Sequence, residues 1–293
     1  MQLQLKLKTI NSFIFLAFIA CCGTQFTEAK VKPPVLPSSL EFAGEKVPMD
    51  DPDVRERLER ELIVNQNYHS STMLIFKQLG RYKSYIIKTL NENGVPEDFL
   101  YLAAAESALN PNATSSAGAA GIWQFISETG EMMGLEISKS VDERRHLVKS
   151  TAAACRYLKD AHREFGSWTM AAAAYNRGNK GMKDAVNSQR EKDYYKLYLN
   201  QETYRYVFRI LALKLILSNP ENYGYSLSDR DQYKEYNYKK VTLKESVSSL
   251  PDFAISNGIT YKELIYHNPW IRTGKYSFDP PGNRTYEVLI PEK

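Results

Sequence analysis

A carboxylate that ends an apolar run is the group best placed for chemistry in this 293-residue sequence. Glu106 follows Phe99-Leu-Tyr-Leu-Ala-Ala-Ala105 and falls on the helical stripe of Phe99, Leu102 and Ala103. A helix that is apolar all round is a buried one, so the carboxyl is drawn partly out of water. It also sits in the helix's last turn, at the negative end of the macrodipole. Both effects disfavour the ionised form and raise the pKa. A carboxyl group that keeps its proton near neutral pH can act as a general acid. The segment by itself also reads as a glutamate at a frayed helix end, reaching solvent.

The residues that follow narrow the choice. Glu106-Ser107-Ala-Leu-Asn110-Pro111 leads through Ser115 into Gly118-Ala-Ala-Gly121-Ile122-Trp123-Gln124-Phe125. Ala174-Tyr175-Asn176 comes next, then Glu202-Thr203 with Tyr206-Val207 just beyond. This ordered set resembles the family 1 lytic transglycosylases of the membrane-bound type D branch, over roughly Pro96 to Tyr225. No single piece is specific; the four in order are. The resemblance implies a mainly α protein, with a lysozyme-like helical domain followed by a small α/β module. It implies that Glu106 is the catalytic acid/base and that Ser107 supports the helix end. Ser115 then faces the reacting sugar, Gln124 lines the cleft, and Trp123 stands where many relatives carry methionine. Tyr175 and Asn176 lie beside the catalytic group, and Glu202 and Tyr206 help orient the sugar and the carboxyl.

Each position also has a plainer role open to it. Gly118 and Gly121 can serve close backbone approach or a turn, and Trp123 and Phe125 can be core aromatics. Asn176 can end a helix next to Gly178, and Tyr206 can be core. Glu128 and Glu131 read as residues of a solvated turn.

Most glycosidases use two carboxylates, and one stands out within these motifs. The resemblance implies a reaction in which the substrate supplies the rest. The β-1,4 bond between N-acetylmuramic acid and N-acetylglucosamine in peptidoglycan is cleaved without water, leaving a 1,6-anhydromuramic acid end. The competing readings are a hydrolytic goose-type muramidase and a non-catalytic cell-wall binder. No cofactor is implied. The histidines at 69, 146, 162 and 267 are scattered without metal-ligand spacing, and His162 reads as solvated. No phosphate loop or basic-aromatic array for nucleic acid is present.

The elements that must carry these groups are helical. Apolar spacing predicts helices over Asp53–Ile63 and Leu74–Leu90, one opened by Pro96 and ending before Pro111, then Lys149–Phe165, Trp168–Tyr175 and Glu202–Leu217. The helical domain thus spans residues 53–225, with the motif core at 96–225, and is preceded by a proline-rich linker at 30–52. Residues 240–293 read as strand, two short helices and strand. This module resembles a degenerate LysM module through Tyr261, Asn268-Pro269 and Leu289-Ile-Pro291, with Leu243-Lys-Glu-Ser replacing the usual opening, so glycan binding by it stays open against a purely structural cap.

Residues 1–22 read as an export signal: Lys6 and Lys8, an apolar run, then Cys21-Cys22. Phe18-Ile-Ala-Cys21 resembles a relaxed lipobox in which Cys21 would carry a lipid; a plain signal cut after Ala29 fits as well. The expected location is the periplasm, with an outer-membrane anchor if Cys21 is modified, and the expected partner is the glycan strand. Cys155, among alanines, reads as a small buried residue. With 43% hydrophobic and 25% charged residues and a net charge of +4, the composition is that of a folded soluble protein.

Overall fold

A short β-hairpin opens the described part of the chain. The computed structural model describes residues 33–272, 276–279 and 284–292, so the export signal and Cys21 lie outside it. Strands β1 (Glu41–Phe42) and β2 (Glu45–Lys46) pair antiparallel around a two-residue turn. Ala43 and Gly44 both take positive φ there, 53° and 79°, the backbone that two-residue hairpin turns demand. Leu40, Phe42, Val47 and Met49 are buried in the main core, and Phe42 meets Phe99 edge-on at 5.4 Å. Residues 40–49 are therefore packed protein, which corrects the linker expected over residues 30–52. Burial of a phenylalanine alone contributes roughly 2–3 kcal/mol, more than a free linker could forgo.

Eight helices follow: α1 (Pro52–Asn67), α2 (His69–Glu92), α3 (Phe99–Ser107), α4 (Ser127–Met132), α5 (Leu147–Phe165), α6 (Trp168–Arg177), α7 (Asn179–Gln189) and α8 (Gln201–Ser218). Helix α1 starts on Pro52 with the Asp51 side chain accepting from Asp53 N–H, a standard N-cap. Helix α5 ends at Gly166 with φ 74°, and α6 ends at Gly178, as their sequences predict. Helix α3 begins later than expected, because residues 96–98 form a turn before it. Helices α4 and α7 are unannounced by the periodicity, and Glu128 and Glu131 lie exposed on α4, not on a turn. Helix α8 is central: α1, α3 and α6 all pack on it, while α5 packs on α2 and α6. Cys155 is fully buried. His162 is stacked on Trp168 with ring centroids 4.0 Å apart, so it is half covered and not solvated as expected.

The C-terminal module has the expected order. Strand β3 (Tyr238–Leu243) pairs antiparallel with β4 (Tyr286–Pro291), and α9 (Leu250–Ser256) and α10 (Tyr261–His267) pack between them in sequence. A separate core of Leu250, Leu264, Trp270, Phe278 and Val288 also takes in Val141 from the helical part. Asn268 is fully buried, and its amide joins the end of α10 to β4. It donates to Leu264 O and Leu289 O and accepts from Leu289 N–H, all within 2.9 Å. Residues 226–237, which join the two parts, run against α2. Tyr233 N–H donates to Lys77 O, and a side chain at Gly80 would come within 2.5 Å of Gln232 Cβ. The Tyr286 hydroxyl and Arg284 both bind Glu136, further fixing the module to the helices. Among the described residues no helix is long and apolar enough to cross a membrane.

Candidate active site

The sequence of α3 dictates where its one carboxyl ends up. Phe99, Leu100, Leu102, Ala103 and Ala104 are buried, which fixes the helix between its neighbours and leaves Glu106 half-buried in the last turn. Burial pushes the Glu106 carboxyl up to about 7. The Tyr206 hydroxyl, which donates to Oε1, and the more distant Arg209 charge oppose that rise, while Glu202 adds to it. Among the described residues no cation pairs with Glu106 within 4.0 Å. A carboxyl in this setting is half protonated near neutrality, so it can give a proton and take one back.

Its partner Tyr206 is buried on α8, and burial together with the Glu106 charge raises the phenol well above its ordinary value. The phenol therefore stays a hydrogen-bond donor. Tyr175, on α6, donates to Trp123 O at 2.8 Å and also feels the Glu106 charge. Helix α3 thus carries the carboxyl, and α6 and α8 bring Tyr175 and Tyr206 to its side.

The chain beyond α3 is strained. Ala108 and Leu109 have φ of 54° and 58°, and Gln124 has 49°. Positive φ in residues with a side chain costs on the order of 1–3 kcal/mol each and gathers at functional sites. Such strain persists only where surrounding contacts overdetermine it, and those contacts are visible. Ser107 Oγ donates to Ile122 O at 2.8 Å, tying the helix end to the glycine loop. Gln124 Nε2 donates to Gly121 O at 2.8 Å, and Ser115 Oγ accepts from Ala119 N–H at 3.1 Å. Gly121, at φ 80°, could not carry a side chain: a Cβ would lie 1.9 Å from Arg144 O. Its role is close backbone approach.

Several residues of the motifs also make contacts within the fold. Trp123 is fully buried and donates Nε1–H to Thr151 Oγ1 at 2.9 Å, so it supports the loop from the core; its ring meets Tyr175 edge-on at 6.4 Å and its carbonyl accepts from the Tyr175 hydroxyl. Phe125 is core as well. Asn176 Oδ1 accepts from Thr203 Oγ1 at 2.9 Å, linking α6 to α8. Glu202 is 54% exposed and bound by Arg209 at 3.2 Å. It acts on Glu106 through space, and Tyr206 alone of that pair touches the carboxyl.

Sequence reading passed over Asp142 and Arg144. The Arg144 guanidinium is buried, pairs with Asp142 at 2.8 Å, and donates to Gly118 O at 2.9 Å and Phe125 O at 3.1 Å. It staples both ends of the glycine loop. The available signal was a charged quartet, Asp142-Glu-Arg-Arg145, directly ahead of α5, where a solvated turn was the easier reading. Among the described residues no group of histidine, cysteine or carboxylate side chains has metal-binding geometry.

Residues 84–198 match the transglycosylase SLT domain family, and residues 239–293 match the soluble lytic transglycosylase C-terminal LysM-like domain. The SLT match takes in Glu106 through Asn176 and stops short of α8, so Glu202 and Tyr206 lie beyond it. Membrane-bound lytic murein transglycosylase D of Escherichia coli (strain K12) is 30% identical over 260 residues, covering 86% of this chain and 55% of that one. A putative tributyltin chloride resistance protein of Alteromonas sp. (strain M-1) is 29% identical over 112 residues, 38% of this chain and 54% of its own. The chain thus spans about half the length of these curated relatives. Among solved structures, the 70 kDa soluble lytic transglycosylase of Escherichia coli is 18% identical, with a TM-score of 0.43 over 56% of this chain and 30% of that chain. An inactive mutant of lytic transglycosylase Slt from Pseudomonas aeruginosa is 19% identical, with a TM-score of 0.38 over 53% and 26%. The helical body of this chain thus matches the transglycosylase SLT domain over residues 84–198, and its C-terminal module matches the LysM-like domain found at the C-terminus of soluble lytic transglycosylases.

Proposed function

We propose that the protein is a peptidoglycan lytic transglycosylase, with Glu106 as its acid and base in turn. The observation that carries this reading is the Glu106 carboxyl itself: desolvated, met by a phenol and not a cation, with a pKa of about 7. In its protonated form it gives a proton to the glycosidic oxygen between N-acetylmuramic acid and N-acetylglucosamine. The C1–O bond breaks, and the muramic acid N-acetyl group stabilises the cationic centre. The ionised carboxylate then takes the proton of the muramic acid 6-hydroxyl, whose oxygen closes on C1. The acid is restored and no water is consumed.

Tyr206 and Tyr175 orient and enclose the carboxyl. Ser115 and Gln124, on the strained loop, contact the sugar with Asn176, and Glu202 tunes the charge. Export to the periplasm, with Cys21 as an outer-membrane lipid site, fits the basic-apolar start of the sequence and the membrane-bound relative. Mass spectrometry of muropeptides released from purified peptidoglycan tests the reading. Anhydro ends, lighter than hydrolytic ends by one water (about 18 Da) and missing with Glu106→Gln, support it. Reducing ends would make the protein a muramidase, and no release would make it a wall-binding protein.

A further inference from the structure

The largest cavity described lies away from Glu106. It has a volume of about 470 Å³ and opens between α2, the turn before α5 and the LysM-like module. That volume suits a small ligand. None of the residues assigned to the Glu106 site lines it.

Its walls combine two chemistries. Tyr82, Tyr85, Tyr236, Tyr238, Tyr266 and Trp270 supply aromatic surface from both the helical body and the module. Arg81, Lys88, Arg145 and Lys240 supply positive charge against Glu92 and Glu287. Lys240 pairs with Glu287 at 2.9 Å, and Lys88 reaches Glu92 only at 4.0 Å. The Arg81 guanidinium has no carboxylate partner among the described residues. It donates to Tyr266 Oη at 2.9 Å and lies 4.7 Å from the centre of the Tyr236 ring. His146 and His267 also line the cavity; burial first, then the nearby Lys149 and Arg81 charges, lower their pKa values, so they add no charge at neutral pH. The walls therefore carry a net positive charge over an aromatic floor.

Arg145 connects this cavity to the loop that follows α3. Its guanidinium donates to Pro111 O at 3.3 Å, Ala113 O at 3.4 Å and Thr114 Oγ1 at 2.6 Å. It also pairs with Asp142 at 3.9 Å, which leaves Arg81 as the open guanidinium of the cavity.

We propose that this cavity is a second substrate site, which takes an amino sugar bearing a short acidic peptide. The inference rests on the peptidoglycan reading above. Aromatic faces stack on the C–H faces of a sugar ring, and arginine forks bind carboxylates. A peptide-bearing muramic acid offers both groups, whereas an oligomer of N-acetylglucosamine offers only the first. The site would hold a strand by its peptide while another part of the strand meets Glu106.

The test uses the full chain carrying Glu106→Gln, which binds without turnover, and calorimetric titration with two probes. One is the N-acetylglucosamine–N-acetylmuramic acid disaccharide with its tetrapeptide; the other is the disaccharide of N-acetylglucosamine, which carries no carboxylate. Arg81→Gln and Tyr85→Ala, added separately, are expected to weaken the peptide-bearing probe tenfold or more. Tyr85→Phe, which keeps the ring, is expected to restore its affinity and guards against a folding artefact. Affinity for the peptide-bearing probe within twofold of the parent in both Arg81→Gln and Tyr85→Ala would overturn the proposal, as would equal affinity of the parent for the two probes. Failure of the enzymatic reading is distinguishable, since it would appear as missing anhydro products from the protein with Glu106 intact.

Discussion

Helix α8 meets a buried glutamate on each of two faces, and the two have different fates. Arg205 reaches Glu61, which is 1% exposed, with Nε–Oε1 at 2.6 Å, and Arg60 lies 3.5 Å from the same oxygen. The next residue, Tyr206, reaches Glu106, which is less deeply buried. Glu61 is the more enclosed of the two, and it has guanidinium partners that make it a brace between α1 and α8. Glu106 has a phenol, and burial pushes its carboxyl up to about 7. Burial favours the protonated carboxyl, and a guanidinium partner favours the ionised one; Glu106 has the first without the second.

The sharpest break in this comparison is chemical. Glu106→Gln should lower the rate of muropeptide release by at least about 10³-fold while leaving the thermal midpoint at pH 7 unchanged or higher. Residual activity within tenfold of wild type would remove Glu106 from the reaction. The converse change is structural. Arg205→Ala strips the main cation from a buried carboxylate and should cost about 3 kcal/mol in denaturant unfolding, with activity per folded molecule retained. An effect below about 0.5 kcal/mol would mean that Arg60 suffices.

A smaller effect concerns stability against pH. The folded pKa of Glu106, about 7, lies above the ordinary value of 4.5, so the native state binds the proton more tightly than the unfolded chain. The stability tied to that proton is fully present below about pH 4.5 and is lost as pH rises through 7. Glu106→Gln should therefore match wild type near pH 4 and exceed it by about 1–3 kcal/mol at pH 8. Parallel stability curves would show that the carboxyl is not desolvated. Smallest is Tyr206→Phe. It removes a donor that favours the ionised form, so the Glu106 limb of the kcat/KM profile should move to higher pH by about one unit. A shift to lower pH would show that the hydroxyl serves the protonated form.

Much of this arrangement was legible in the sequence, and the exceptions have physical causes. Helices with a wide apolar stripe and a glycine stop, such as α5 and α6, announce themselves. Helix α7 does not, because only Met182 and Ala185 are buried in its eleven residues and Gly181 interrupts it. The hairpin was missed because two-residue strands give no alternation and its turn, Ala43-Gly44, is a weaker signal than Asn-Gly. At the site, the motifs named Glu106 as the acid and Glu202 with Tyr206 as a pair that orients it, yet 100 residues separate Glu106 from Tyr206 and put their contact beyond any periodicity. Arg144 was invisible for a related reason. Its value lies in carbonyl groups at Gly118 and Phe125, and backbone partners leave no trace in residue types.

The β1–β2 hairpin has a mechanical consequence. Glu45 accepts from Ser167 Oγ, Thr169 N–H and Thr169 Oγ1, capping α6. Burial raises its pKa, but these bonds outweigh that and hold the carboxyl below the ordinary value. Ala43 N–H and Lys214 both donate to Asp98, at the entrance to α3. A pull on the chain from upstream meets the Tyr223 hydroxyl bond to Val35 O and the packing of Leu36, and then this hairpin. The next bonds to carry the load would be those that seat α6, with Tyr175 and Asn176, and α3, with Glu106. Peeling the hairpin away under tension would loosen the two helices that frame the carboxyl before it disturbed the rest of the core.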